Sequence, residues 1–241
     1  MTIRIEQHDT ADELATAMAT ALLGRLAAAQ AEGGVPQIGL TGGTIAHALH
    51  LRLADLSPGS GVDWSRVVIW WGDERFVAAD SPDRNARQAR EAFLDSVGVD
   101  PANVHEMPST ATAASVDEGA AAYSQDLREH GAGAFEVLML GVGPDGHVAS
   151  LFPGHPALGV DDRVAVGVTD SPKPPPERVT LTLSALNRSK AVWFVASGAG
   201  KAEAVARALG GAPVREIPAA GVTGQQETVW FLDSEAASAL P

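Results

Sequence analysis

The 241-residue chain contains no cysteine. That removes disulfides, thiolate nucleophiles and cysteine-based metal sites. Aromatic residues are scarce at 5%, with a single tyrosine, so Ala, Val and Leu must fill most of the core. Basic residues are few: 17 against 30 acidic ones, a net charge of −13. Such a chain is poorly suited to nucleic acid or to an anionic membrane surface, and neither partner is expected. No uninterrupted run of about 18 apolar residues is present, so no membrane span is expected. The opening residues, MTIRIEQHDTADELATAM, carry acids where a signal peptide has a basic stretch and an apolar run, which points to the cytoplasm. No GxSxG nucleophile elbow and no HExxH pair occurs either, which disfavours α/β-hydrolase and zinc-peptidase chemistry.

What is present alternates. The pattern predicts a helix over 10–30, where Thr10 and Glu13 have capping-box spacing. Apolar runs at 36–40, 66–71, 135–140, 164–168, 191–196 and 228–232 read as strands. Helices are expected at 45–53, 85–97, 115–130 and 201–209, with a short one at the C-terminus. Strand, loop and helix in repetition indicate an α/β fold with a mainly parallel sheet. The continuous apolar run FEVLML fits a sheet covered on both faces. PKPPP at 172–176 is too short to separate domains and reads as a stiff loop, so one domain over 1–241 is expected.

Ligands of open α/β sheets collect at the carboxyl ends of the strands. Four polar or glycine-rich segments follow predicted strands. Thr41-Gly42-Gly43-Thr44 precedes a helix, a setting that suits a phosphate or simply makes a tight turn. Ser197-Gly198-Ala199-Gly200-Lys201 is not a Walker A loop, because Val195 replaces the first glycine and Ala202 the hydroxyl residue. Lys201 near a helix start opposes the helix dipole, so it either meets an anion or faces water. Gly141-Val142-Gly143-Pro144-Asp145-Gly146 matches GxGxxG, yet it sits mid-chain and Pro153 would stop a following helix within about two turns. The dinucleotide reading is rejected. Asp145 and His147 remain beside a tight turn, the arrangement of an oriented general base. Gly72-Asp73-Glu74-Arg75 places charges after a very apolar strand, as site residues or as a mutual ion-pair cluster. Lys173 and Arg178 flank the proline loop. In a chain this acidic, convergence of Arg75, Lys173, Arg178 and Lys201 would mark an anion site.

Five ordered segments together resemble the 6-phosphogluconolactonase family, which is related to the glucosamine-6-phosphate deaminases. They are LTGGTIAHALH, WWGDERFV, GVGPDGHVASLFPGHPAL, SPKPPPERVTLTLSALN and GAGKAEAV. The resemblance implies a Rossmann-like single-domain fold with helices on both faces of the sheet. It implies hydrolysis of a phosphosugar lactone, with no cofactor or metal, by a monomer or weak oligomer. By motif position His147 would be the general base, with Asp145 orienting it and Arg75 contacting substrate. Gly42, Gly43 and Thr44 with Arg178 and Lys201 would hold phosphate, Lys173 would lie beside sugar or phosphate, and Asp73 would line the site. Whether Asp145 or Asp73 orients the base stays open at this point. The deaminases typically carry Asn-Glu-Pro after their DGH segment and Asp-Glu-Tyr in the earlier loop. This chain has Leu151-Phe152-Pro153 and Asp73-Glu74-Arg75 instead. Ile45 and Ala46 depart from the family's SGGSTP loop. Arg84 replaces a common serine, as a neutral surface change or an extra cation near the site.

Overall fold

A computed structural model describes residues 2–241. Strand β1 (Thr2–His8) leads into helix α1 (Ala11–Ala31). Thr10 caps α1 by accepting from the Glu13 amide, and the Glu13 carboxylate reaches back to the Asp9 amide. The capping signal was therefore real, displaced by one residue on the return bond. Strand β2 (Gln37–Leu40), helix α2 (Thr44–Leu56), strand β3 (Val68–Trp71) and the short β4 (Asp73–Arg75) follow. Helix α3 (Asn85–Ala89) runs through a π-helical turn, Arg90–Leu94, into α4 (Asp95–Val97). Then come α5 (Val116–His130), β5 (Val137–Gly141), β6 (Ala165–Val168), β7 (Arg178–Leu181), α6 (Leu183–Leu186), β8 (Ala191–Ala196), α7 (Ala202–Leu209) and β9 (Glu227–Asp233).

Six strands form one parallel sheet in the order β1-β9-β8-β5-β2-β3. Every residue of β2, β3 and β8 is buried, as expected where both faces are covered. The apolar helix α1 belongs to this core: it buries Leu14, Met18, Leu22 and Leu26 completely. Each such side chain contributes about 1.5–3 kcal/mol through burial. The single tyrosine closes one edge. Tyr123 of α5 accepts from the Trp71 amide at 2.9 Å and donates to the Trp71 carbonyl at 3.0 Å. A backbone pair on edge strand β3 is thereby satisfied without another strand.

Three features differ from the sequence-based expectation. Strand β1 was not anticipated, because its half-exposed, charge-bearing TIRIEQH lacks the continuous apolar run of the central strands. β4, β7 and β6 form a separate three-stranded antiparallel sheet; β6 falls on the expected run at 164–168, whereas the short, charge-bearing β4 and β7 give little periodic signal. The segment after β9 makes consecutive turns rather than a terminal helix.

The connections place the site. From β2 the chain moves outward to β3, whereas from β5 it moves the other way to β8. The sheet order therefore reverses between β2 and β5, and the loops after these two strands diverge around a crevice. The Gly141 amide at the end of β5 donates to Thr41 Oγ1 at the end of β2, at 3.4 Å, across the floor of this crevice.

Candidate active site

The crevice holds a cavity of about 250 Å³ lined by Arg75, His147, Lys173, Arg178 and Lys201, together with Asp73. Four cations and one lining carboxylate thus converge in a chain of net charge −13. A second lobe of about 440 Å³ continues along the start of α2, past Thr44, Ile45 and Ser197. Gly42, Gly43 and Lys201 border both lobes, while Thr44 borders only the second. A separate, more apolar cavity of about 220 Å³ lies by Leu127 and Phe135 and holds no acid–base pair.

No helix lies between β5 and Pro153, where a short one ended by that proline was expected. The chain instead folds back tightly: the Gly143 amide donates to the His147 carbonyl, and Val142 bridges Val148. This turn brings Asp145 Oδ1 to 2.5 Å from His147 Nδ1. The carboxylate accepts from Nδ1–H, so the lone pair is left on Nε2, which has no hydrogen-bond partner among the described residues. Burial alone would push the Asp145 carboxyl up, but the hydrogen bond and charge of His147, with Lys173 at 4.0 Å, bring it down to about 2. Asp145, not Asp73, contacts the imidazole. The ring also packs against Phe152, centroids 4.7 Å apart. The glycine at 143 is required here, since a Cβ would fall 1.9 Å from His147 Nδ1 and 2.4 Å from Asp145 Oδ1.

The Asp73-Glu74-Arg75 segment divides its charges. Asp73 is buried at the cavity wall and accepts from Ser150 Oγ at 2.6 Å, tying β4 to the histidine loop. Next to Ser150, Ala149 is held at φ +49°, a conformation that costs energy for a residue with a Cβ and here lies on the cavity wall. Glu74 is fully buried and accepts from the amides of Arg75, Asn85 and Ala86, anchoring the start of α3. Burial pushes its carboxyl up, while Arg84 and these amides oppose the shift. Arg75 faces the cavity, with Nη1 donating to the Asp83 carbonyl and to Asn85 Oδ1 at 2.7 Å. Asn85 was not anticipated as a site residue. It sits where a Cβ on Gly42 would lie, 1.8 Å from its Oδ1, so this glycine permits the brace behind Arg75. Asn85, Ser150 and Ala149 gave no signal of their own, because their roles arise from contacts between distant segments.

Arg84 is neither a surface change nor a site cation. It is 2% exposed, lies 4.0 Å from Glu74 and 3.7 Å from Glu106, and donates to the Met107 carbonyl. Sequence could not reveal this, since its partner Glu106 lies on the segment after α4.

Arg178 pairs in register with Arg75 across β4 and β7. Its Nε and Nη2 donate to the carbonyls of Pro175, Lys173 and Pro174, so it shapes the proline loop that presents Lys173. Burial, with neighbouring Arg75, pulls its pKa down against the opposing pull of Asp73. Lys201, half-buried at the start of α7, is likewise lowered by burial and by Lys173. The turn before it is held by Asp233, which accepts from Ser197 Oγ and the Gly198 amide. Crowded, partly desolvated cations of this kind gain most when an anion arrives.

Comparison with known proteins agrees with this architecture. The chain is 46% identical to a 6-phosphogluconolactonase of Streptomyces coelicolor, over 97% of this chain and 93% of the relative. It is 44% identical to one from Mycobacterium tuberculosis over the full length of both. The crystal structure of a 6-phosphogluconolactonase from Thermotoga maritima superposes with a TM-score of 0.86 at 27% identity, covering 97% of this chain and all of that one. Residues 9–230 match the family described as glucosamine-6-phosphate isomerases/6-phosphogluconolactonase, and the chain belongs to that family.

Proposed function

We propose that the protein hydrolyses 6-phospho-D-glucono-1,5-lactone to 6-phosphogluconate, a step of the oxidative pentose phosphate pathway, in the cytoplasm. The observation that carries this reading is the Asp145–His147 pair, its Nε2 unengaged, in a cavity ringed by Arg75, Lys173, Arg178 and Lys201.

The chemistry needs no protein nucleophile. His147 Nε2 removes a proton from water as the oxygen attacks C1 of the lactone. Negative charge collects on the former carbonyl oxygen, and Arg75 is the cation braced to meet it. The tetrahedral intermediate expels the ring oxygen, which takes the proton from the imidazolium. The product is the open-chain acid, which releases the remaining water-derived proton to solvent and becomes the carboxylate. General-base assistance is worth about 10²–10⁴-fold. The phosphate supplies binding energy remote from the reacting carbon. Lys201 and the amides at the start of α2, which have no side-chain cap, are its ligands, assisted by the free Nη1 of Arg178. Loss of the hydroxyl residue at Ile45 leaves this duty to backbone groups and Thr44.

The alternative within the family is glucosamine-6-phosphate deamination. Against it, Leu151 and Phe152 are buried where the deaminases bring a glutamate, and Phe152 packs on the imidazole. The test is lactone disappearance, with 6-phosphogluconolactone generated in situ and spontaneous hydrolysis subtracted. Acceleration of lactone loss without ammonia release from glucosamine 6-phosphate is expected. Ammonia release without lactone hydrolysis would overturn the assignment.

A further inference from the structure

A second carboxylate–imidazole cluster lies outside the crevice. Asp126 and His130 stand one turn apart on α5, and Asp126 Oδ1 is 2.8 Å from His130 Nδ1. From the other side His105 brings its Nδ1 to 3.1 and 3.0 Å from the two oxygens of the same carboxylate. The His105 ring is fixed: it stacks on Trp70, centroids 4.0 Å apart and planes within 8°, and its amide donates to the Ile69 carbonyl. Two imidazole nitrogens and a carboxylate oxygen therefore fall within 4.8 Å of one another. Asp126 forms no ion pair with lysine or arginine among the described residues; the two imidazoles are its side-chain partners.

We infer that His105, Asp126 and His130 form a binding site for a divalent first-row transition ion, with zinc the best match. A nitrogen-and-carboxylate donor set suits zinc and its neighbours rather than calcium or magnesium. Zinc ligand distances of about 2.0–2.2 Å place neighbouring donors roughly 3.3 Å apart. The histidine–carboxylate separations of 2.8–3.1 Å need only a small expansion, and the two imidazole nitrogens lie within 4.8 Å of each other. On binding, each imidazole gives its Nδ1 lone pair to the metal while its proton moves to Nε2. Both rings stay neutral, and the ion offsets the carboxylate charge. Three protein ligands leave a fourth position to water. The ion would join the last turn of α5 to the segment holding His105, and it takes no part in lactone chemistry.

The test uses the untagged full-length chain, stripped with a chelator and titrated with zinc chloride by calorimetry. One equivalent should bind. The His130→Ala variant alters a side chain that is 56% exposed and should weaken binding at least about tenfold, as should Asp126→Asn. Because Trp70 stacks on His105, cupric ion should quench part of the tryptophan fluorescence of the wild type and not of His130→Ala. Unchanged lactone hydrolysis by His130→Ala checks that the variant is folded. No zinc binding by the wild type would overturn the inference. Equal binding by wild type and both variants, which would put the ion elsewhere, such as at His147, would do the same.

Discussion

The molecule contains two carboxylate–imidazole pairings of nearly the same geometry, Asp145 with His147 and Asp126 with His130 and His105. Only the first borders one of the cavities described above. Around His147 stand four cations with incomplete partners, a strained Ala149 and a carbonyl-clad proline loop. Around Asp126 stand an aromatic face and solvent, and among the described residues neither lysine nor arginine pairs with it. Asp145 holds one imidazole nitrogen and leaves the other without a partner among the described residues, beside a cavity lined by four cations. Asp126 is shared by two imidazoles and points at no anion site. The contrast teaches that an oriented histidine becomes a base for a reaction through what faces its free nitrogen. The pair alone does not decide it.

The comparison can be broken first at the aspartates. Asp145→Asn should lower kcat by about 10²–10⁴-fold, since an amide that donates to Nδ1 leaves the proton on Nε2 and removes the base. Asp126→Asn should leave kcat and KM unchanged within about twofold, measured in the same lactone assay. Next, Gly143→Ala should reduce kcat by at least about tenfold without loss of fold, because the added methyl collides with both members of the first pair. Lys201→Ala should raise KM by about 10–100-fold with little change in kcat, the effect of losing a charge-assisted bond to phosphate.

Two further outcomes concern stability. Asp145 has its pKa lowered from about 3.8 to about 2 on folding. A depressed carboxylate stabilises the fold fully above its unfolded value, and the contribution disappears as pH falls from about 3.8 toward 2. Acid unfolding followed by circular dichroism should therefore be shallower over that window in Asp145→Asn. Tyr123→Phe leaves the Trp71 amide and carbonyl unpaired and should cost about 1–3 kcal/mol in a denaturant titration.

The central strands were legible because burial on both faces writes continuous apolar runs; β8 matches its expected 191–196 residue for residue. The loops after β2, β5 and β8 were legible because glycine clusters interrupt those runs. Strands β1 and β4 were not, since edge position and charge erase the apolar signal, and β7 was not, since RVTL is short and opens on a charge although it lies between β4 and β6. The convergence of Arg75, Lys173, Arg178 and Lys201 was posed as a condition and is met in space. Arg84 shows the opposite case. A charged residue beside a functional loop looked like a surface or site cation, yet two distant glutamates make it a buried structural ion. Pairings set by tertiary contact leave no periodicity to read.

The most direct measurement pairs turnover with binding in His147→Ala: lactone disappearance at saturating substrate, and 6-phosphogluconate affinity by calorimetry. The account predicts loss of about 10²–10⁴-fold in turnover with affinity for the product kept within about threefold, because the cations proposed to hold phosphate do not depend on the imidazole. Wild-type turnover in this variant would contradict the assignment of His147 as the base.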